Sequence, residues 1–139
     1  MEKRKKPRGI DIMSYVDKGE KITEIRYMVG GINIKLYHNY YHKDSKNELY
    51  LENFSNENTT GKKKGQARGV LYDIVYWLVY NKYVNMSDMF RLHSYSPSPN
   101  TQDKLNLMYE KLGFKRIGGL DTKPKYEISI KSYLEKNEK

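Results

Sequence analysis

The sequence predicts an α/β fold in which a mixed, mostly antiparallel sheet carries a central buried helix after its fourth strand and a second helix on the other side. Two runs of alternating hydrophobic residues flank Gly30-Gly31, and both glycines tolerate the positive φ of a tight hairpin turn. Residues 66–83 form a helical segment that is apolar nearly all round, as in a buried helix. Strand-like and helix-like segments alternate after it, which is typical of a mixed sheet with packed helices.

The first half of the chain is predicted to be mostly strand. Residues 10–16 form a short apolar segment that is ambiguous between strand and helix. Residues 25–29 and 32–36 form the hairpin, with an extension of its second strand as far as residue 41. A fourth strand alternates over residues 48–54, so its two faces carry different residues. Leu49 and Leu51 form one face, and Tyr50, Glu52 and Phe54 form the other.

A second helix is predicted downstream of the buried one. Residues 89–93 form a short strand, which ends before the Ser-Pro-Ser-Pro segment at 96–99. Asn100 or Thr101 can then cap a helix that runs to Leu112. Its expected buried stripe consists of Leu105, Met108 and Leu112.

The end of the chain completes the same sheet. Gly113 is well placed as the residue that follows a helix end, where a positive φ is usual. Residues 114–117 and 126–130 are predicted strands, the latter burying Tyr126, Ile128 and Ile130. Together with the preceding elements they make one domain over residues 10–134, followed by a polar tail at 135–139.

Charge and composition narrow the class of protein. The 139 residues carry a formal net charge of +9, part of it in Lys3-Arg4-Lys5-Lys6-Pro7-Arg8. Residues 1–9 are predicted to be a disordered basic arm, with nucleic acid or an acidic protein as candidate partners. Cysteine is absent, which excludes disulfides, thiol nucleophiles and zinc–thiolate sites and fits an intracellular location. No apolar run is long enough to span a bilayer, so no membrane association is expected.

A basic, glycine-containing loop leads into the N-terminus of the buried helix. Backbone N–H groups in a first helical turn have no intrahelical partner, and the helix dipole adds partial positive charge, so such a terminus binds phosphate oxygens. The loop lacks both the Gly-Lys-Ser/Thr ending of an ATP-binding loop and the three-glycine dinucleotide fingerprint. The predicted phosphate-binding residues are Lys62, Lys63, Lys64, Gly65, Gln66, Ala67, Arg68 and Gly69.

Two motifs resemble those of the GNAT superfamily of acyl-CoA-dependent N-acetyltransferases. The family's pyrophosphate loop reads Gln/Arg-x-x-Gly-x-Gly/Ala, and the matching segment here is Lys62-x-x-Gly65-x-Ala67. Residues 107–114 read Leu-Met-Tyr-Glu-Lys-Leu-Gly-Phe, similar to the family's aliphatic-x-Tyr-Glu-Lys-Leu-Gly-Phe segment. One helix, one strand and one turn separate the two motifs, as in the family. The resemblance therefore implies a GNAT-like fold.

The resemblance also implies a site for acetyl-CoA, with no metal ion. The pyrophosphate would bind backbone N–H groups of residues 64–69, and the pantetheine arm would pair with the edge of the fourth strand from Leu51 to Asn53. Asn100 is included because it lies near Gln102, which stands where the family often has Asn.

Catalysis in the family transfers acetyl directly from the thioester to an amine through a tetrahedral intermediate. Tyr109 matches the family's general acid, which protonates the leaving thiolate. Glu52 and His93 are the two candidates for the general base. The amine acceptor, a protein lysine, an N-terminus or a small amine, is left open.

The chain also admits other interpretations. The alternative function is a catalytically inactive GNAT-like basic module that binds nucleic acid or a protein. His38 and His42 have helical metal-ligand spacing but lie in a strand-like run without a third ligand, which argues against a metal site. Tyrosines spaced along the first helix are expected to pack against the sheet; they are Tyr72, Tyr76, Tyr80 and Tyr83.

Overall fold

A computed structural model describes residues 1–39, 47–58, 61 and 65–138. Within these ranges, seven strands and three helices follow one another along the chain. They are β1 (Ile10–Asp17), β2 (Glu20–Val29), β3 (Ile32–His38), β4 (Glu48–Asn56), α1 (Gln66–Tyr80), β5 (Met89–His93), α2 (Pro99–Lys111), β6 (Lys115–Leu120), β7 (Lys123–Ser129) and α3 (Ile130–Asn137).

All seven strands belong to one open sheet, in the order β1-β2-β3-β4-β5-β7-β6. Neighbouring strands are antiparallel except β4 and β5, which are parallel. The predicted α/β class with a mixed, mostly antiparallel sheet is therefore confirmed, as is the hairpin that turns at Gly30-Gly31. The ambiguous segment at 10–16 lies in β1.

Helices α1 and α3 pack on the face of the sheet that carries Phe90. The ring of Tyr133 on α3 meets that of Phe90 at 5.1 Å between centroids, and it also contacts the ring of Tyr72 on α1 at 6.4 Å. All three aromatic side chains are buried. The aromatic cluster thus joins both helices to the centre of the sheet.

Helix α2 lies on this same face, so the prediction of a second helix on the other side is wrong. The ring of Tyr109 on α2 contacts that of Tyr126, which lies directly opposite Leu92 in the β5–β7 pairing. Leu92 is two residues from Phe90 and shares its face. The physical reason is handedness: the β4–α1–β5 and β5–α2–β6 connections both advance in the same direction across the sheet. Right-handed crossovers in one direction place their helices on one face.

The two faces of the sheet consequently differ in character. The helix-covered face carries fully buried apolar side chains, among them Leu36, Leu49 and Phe90. The opposite face carries half-buried charged side chains such as Lys35, Arg91 and Glu127, and no helix of the described chain covers it. We refer to this second surface as the polar face.

A β-bulge in β4 changes the predicted pattern of that strand. Leu36 of β3 lies opposite Leu51, but the next residue back, Lys35, lies opposite Asn53, so Glu52 is an extra residue in β4. Beyond the bulge, Phe54 lies opposite a core residue of β3 instead of on the face of Tyr50. The strict alternation predicted for 48–54 is therefore wrong after Leu51.

Helix and strand ends also differ from the prediction. α1 ends at Tyr80, short of 83, because Lys82 takes φ +62° and the N–H groups of Lys82 and Tyr83 donate back to the Val79 and Leu78 carbonyls. The N-cap of α2 is Ser98, which precedes Asn100 and Thr101. The predicted strand 126–130 is interrupted at Ser129, whose side chain accepts a hydrogen bond from the Ser132 N–H and starts α3.

The basic arm contacts the outer surface of α1. The Arg4 guanidinium lies 4.3 Å from the centroid of the Tyr76 ring and 3.6 Å from Asp73 Oδ1. The Tyr76 hydroxyl donates a 2.6 Å hydrogen bond to the Glu2 carbonyl.

Within the described ranges, none of the helices combines the length and apolar character needed to cross a lipid bilayer.

Candidate cofactor and catalytic site

The parallel pairing of β4 with β5 is short. It extends from Glu48 and Met89 to Leu51 and Leu92, whereas β4 continues to Asn56 alongside β3 alone in the described chain. The two strands therefore separate immediately after Leu51. Past this point the backbone of β4 offers amide groups to a ligand that can pair with it as a strand does. The β-bulge at Glu52 follows Leu51 directly, and bulges commonly change the direction of the strand in which they occur.

The N-terminus of α1 begins at Gly65, which has φ +79° and no side-chain cap. A Cβ added to Gly65 would meet no heavy atom within 4 Å, and the first turn carries no acidic side chain. Among the described residues, no side chain caps the backbone N–H groups of Gln66, Ala67 and Arg68. Because α1 follows β4, this terminus lies toward the carboxyl end of β4, where the strands separate.

The remaining loop residues contribute unequally. Gln66 and Arg68 are exposed, Gly69 is half-buried, and the Ala67 side chain packs into the core. Lys62, Lys63 and Lys64 lie outside the described residues, so their proposed role in phosphate binding stays a prediction.

Tyr109 lies over the end of β5. Its ring contacts that of Phe54 on β4 and that of Tyr126 on β7, both at 6.4 Å between centroids. Since β5 lies between β4 and β7, these contacts locate Tyr109 beside the strand separation. The residue is only 5% exposed, and burial, with a smaller effect of the neighbouring Tyr50, raises the pKa of its phenol well above the ordinary value. No hydrogen bond joins its hydroxyl to another described residue.

His93 is the last residue of β5 and is held from β4 by Tyr50. The Tyr50 Oη and His93 Nδ1 atoms are 2.5 Å apart, a hydrogen bond that leaves Nε2 for other partners. Burial lowers the pKa of His93, the positive charges of Lys123 and Lys125 lower it further, and Glu48 opposes them. The imidazole is thus favoured in its neutral form near pH 7.

Glu52, the other candidate base, projects from the bulge. Its side chain is 46% exposed, and its Oε2 lies 3.9 Å from Lys35 Nζ. Asn53 beside it is exposed as well, whereas the Leu51 side chain is buried in the core, so only the backbone of Leu51 is available at the edge.

Sequence reasoning did not identify Gln102 as a structural residue. Its side chain accepts a hydrogen bond from the Ser96 N–H at 2.9 Å and donates to the Ser94 carbonyl at 3.1 Å and to Asn106 Oδ1 at 2.9 Å. Gln102 therefore ties the chain after β5 to α2, the helix that carries Tyr109. Asn100, the predicted cofactor contact, is exposed in the first turn of that helix.

The predicted catalytic residues Tyr109 and His93 each contact a residue of β4, but from opposite faces of the sheet. Tyr109 approaches β4 through Phe54 on the helix-covered face, and His93 approaches it through Tyr50 on the polar face. The described contacts include none that joins Tyr109 directly to His93 or Glu52. The sequence did not single out Tyr50, although its position beside Leu51 on the predicted cofactor edge is a usable signal.

Only one of the two histidines with helical metal-ligand spacing lies within the described ranges. His38 Nε2 lies 3.0 Å from Asp88 Oδ2, and His42 is outside the described residues. No group of three or more His, Cys, Asp or Glu residues that could hold a metal ion occurs among the residues searched.

Compared with known proteins, the chain matches no family model, no curated protein and no solved structure.

Proposed function

We propose that this protein is an N-acetyltransferase that transfers acetyl from acetyl-CoA directly to an amine. The observation that carries the proposal is the separation of β4 from β5, which combines an available strand edge, a nearby open helix N-terminus and a buried tyrosine. The resemblance of residues 62–67 and 107–114 to GNAT motifs points to the same chemistry.

Acetyl-CoA binds along the separation in this proposal. Its pyrophosphate accepts hydrogen bonds from the first-turn N–H groups of α1, where the helix dipole stabilises negative charge. Its pantetheine amides pair with the edge of β4 from Leu51 to Asn53, as an added strand pairs with an open edge. The thioester then lies close to Tyr109.

The reaction needs one base and one acid. His93 Nε2 accepts a proton from the amine, which requires the tautomer whose Nδ1–H donates to Tyr50 Oη. The amine nitrogen attacks the thioester carbon, the C–N bond forms, and the C–S bond breaks when the tetrahedral intermediate collapses. Tyr109 donates its phenolic proton to the departing thiolate and regains one from solvent, to which His93 releases its own. The raised phenol pKa keeps Tyr109 protonated before the reaction.

Calorimetric titration with acetyl-CoA tests the cofactor site. Gly65→Glu should abolish binding, because it adds a carboxylate where the pyrophosphate is bound. Gly19→Glu is the matched control, since Gly19 has φ +80° and equally open surroundings but lies in the β1–β2 turn. It carries the same backbone strain and should leave binding unchanged. Unaltered affinity in Gly65→Glu would overturn the proposed site.

The alternative is a catalytically inactive basic module, favoured by the net charge of +9. It predicts binding of nucleic acid or an acidic protein that weakens steeply with salt and is independent of acetyl-CoA. Replacement of Lys3, Arg4, Lys5 and Lys6 would then matter more than Tyr109→Phe, whereas the enzyme proposal gives the reverse order.

A further inference from the structure

Two lysines of β7 flank His93 on the polar face. Lys125 lies directly opposite His93 in the β5–β7 pairing, and side chains opposite one another in a sheet share a face. Lys123 is two residues along the same strand and therefore lies on that face too. Both influence the imidazole of His93 electrostatically, which places their charges within range of the ring.

The positive charge of these lysines is not neutralised by the described chain. Lys123 is exposed and Lys125 half-buried, and neither makes an ion pair with a described carboxylate. The acidic groups around them are each paired with another cation: Glu48 and Glu127 with Arg91, Glu52 with Lys35, and Asp121 with Arg116. Among the described residues, the surface beside His93 thus carries two lysines without an ion-pair partner, whereas each of these four carboxylates has one.

The spacing of the lysines suits an extended chain. Side chains two residues apart on a strand are about 6.5–7 Å apart, and alternate side chains of an extended peptide have the same repeat. No described helix covers the polar face beside them.

From this arrangement we propose that the acceptor is an acidic peptide whose free N-terminal amine lies at His93 while its carboxylates contact Lys123 and Lys125. The proposal rests on the acetyltransferase function proposed above. A cationic acceptor, such as a lysine-rich tail, is repelled by the same pair of lysines.

Three peptides with the same N-terminal serine test the inference: one continuing with Asp and Glu, one with Asn and Gln, one with Lys. At low salt the acidic peptide should be acetylated with about tenfold higher kcat/KM than the neutral one, because exposed ion pairs contribute up to about fivefold each. The preference should fall as salt screens the charges. A Lys123→Gln/Lys125→Gln variant should lose it, while Lys18→Gln/Lys21→Gln, with the same change in net charge at the β1–β2 turn, should keep it.

Binding of a C-terminally labelled acidic peptide, followed by fluorescence anisotropy, separates this inference from the proposed function. Peptide binding that depends on Lys123 and Lys125 supports the inference even before turnover is measured. Equal rates for the three peptides in an enzyme that binds acetyl-CoA would overturn the inference alone. A phosphate-bearing small amine preferred over the acidic peptide would overturn the peptide as acceptor. Absence of acetyl-CoA binding in the wild type would overturn both.

Discussion

Tyr109→Phe is the substitution that most directly separates chemistry from packing. The Tyr109 ring contacts Phe54, Phe114 and Tyr126, and all three contacts survive when only the hydroxyl is removed. That hydroxyl donates no hydrogen bond to a described residue, so its removal leaves no buried partner unsatisfied. The variant should therefore fold like the wild type, with a change in unfolding free energy below about 1 kcal/mol.

The catalytic effect should be large by comparison. A general acid contributes about 10²–10⁴-fold, which corresponds to roughly 2.7–5.4 kcal/mol of activation free energy at 1.36 kcal/mol per decade. The expected loss in kcat is therefore at least about 100-fold, with acetyl-CoA affinity unchanged because the ring still packs beside the strand separation. Truncation to alanine would confuse the result, since removal of a buried aromatic ring costs about 3–5 kcal/mol of stability.

The assay is release of free thiol from acetyl-CoA in the presence of acceptor, with thermal denaturation on the same samples. Tyr126→Phe is the matched control, because it removes a neighbouring buried tyrosine hydroxyl that donates to Glu110 Oε2 at 3.2 Å. It should retain nearly full activity. A Tyr109→Phe variant with kcat within twofold of wild type would refute the assignment of Tyr109 as the acid.

Further predictions concern the polar face and the support of α2. His93→Gln should lower kcat/KM about 100-fold, and Tyr50→Phe about tenfold, because the imidazole loses its orienting hydrogen bond; Glu52→Gln with a larger loss than His93→Gln would contradict this order. Lys125→Gln should move the acidic limb of the kcat/KM profile to higher pH. Burial, and then the charges of Lys123 and Lys125, lower the pKa of His93, so the wild-type imidazole stays neutral until the pH falls through that lowered value. Removal of one of these cations raises the pKa, and the imidazole then gains its proton at a higher pH. A limb that stays in place or moves to lower pH would disprove the electrostatic contact. Gln102→Ala should reduce the free energy of unfolding by about 1–3 kcal/mol in chemical denaturation, since the Ser96 N–H and Ser94 carbonyl lose their partner. Unchanged stability would show that this linkage is dispensable.

The parts of the fold that depend on local signals were predictable from the sequence. Gly30-Gly31 takes positive φ in the hairpin, and Gly113 has φ +103° after α2. The apolar segment that begins at Gln66 forms the buried helix α1. Each of these features follows from backbone freedom or hydrophobic periodicity within a few residues.

The mispredicted features depend on residues far apart in the chain, or on segments whose hydrophobic spacing fits a strand although a helix begins there. The bulge at Glu52 exists only in relation to the register of β3, which no pattern within β4 reveals. Ile128 and Ile130 fit strand alternation, yet the Ser129 side chain caps a helix there. The side on which α2 packs follows from crossover handedness and from the strand order, and the order was not known from sequence.

Motif or residue type singled out Tyr109, Gly65 and His93 in the sequence, and their functional roles stay predictions. Tyr50 and Gln102 were not singled out. The Tyr50–His93 hydrogen bond joins residues 43 positions apart and requires β4 to pair with β5, and the bonds of Gln102 to Ser94 and Ser96 require α2 to pack against the segment that follows β5.

Amide hydrogen exchange with and without acetyl-CoA reports where the cofactor binds. We expect slowed exchange in two places: the first turn of α1, at Gln66–Arg68, and the edge of β4, at Glu52–Phe54. The β1–β2 turn should serve as an unaffected reference. Protection confined to the arm and the outer surface of α1, or no protection at all, would contradict the proposed acetyl-CoA site.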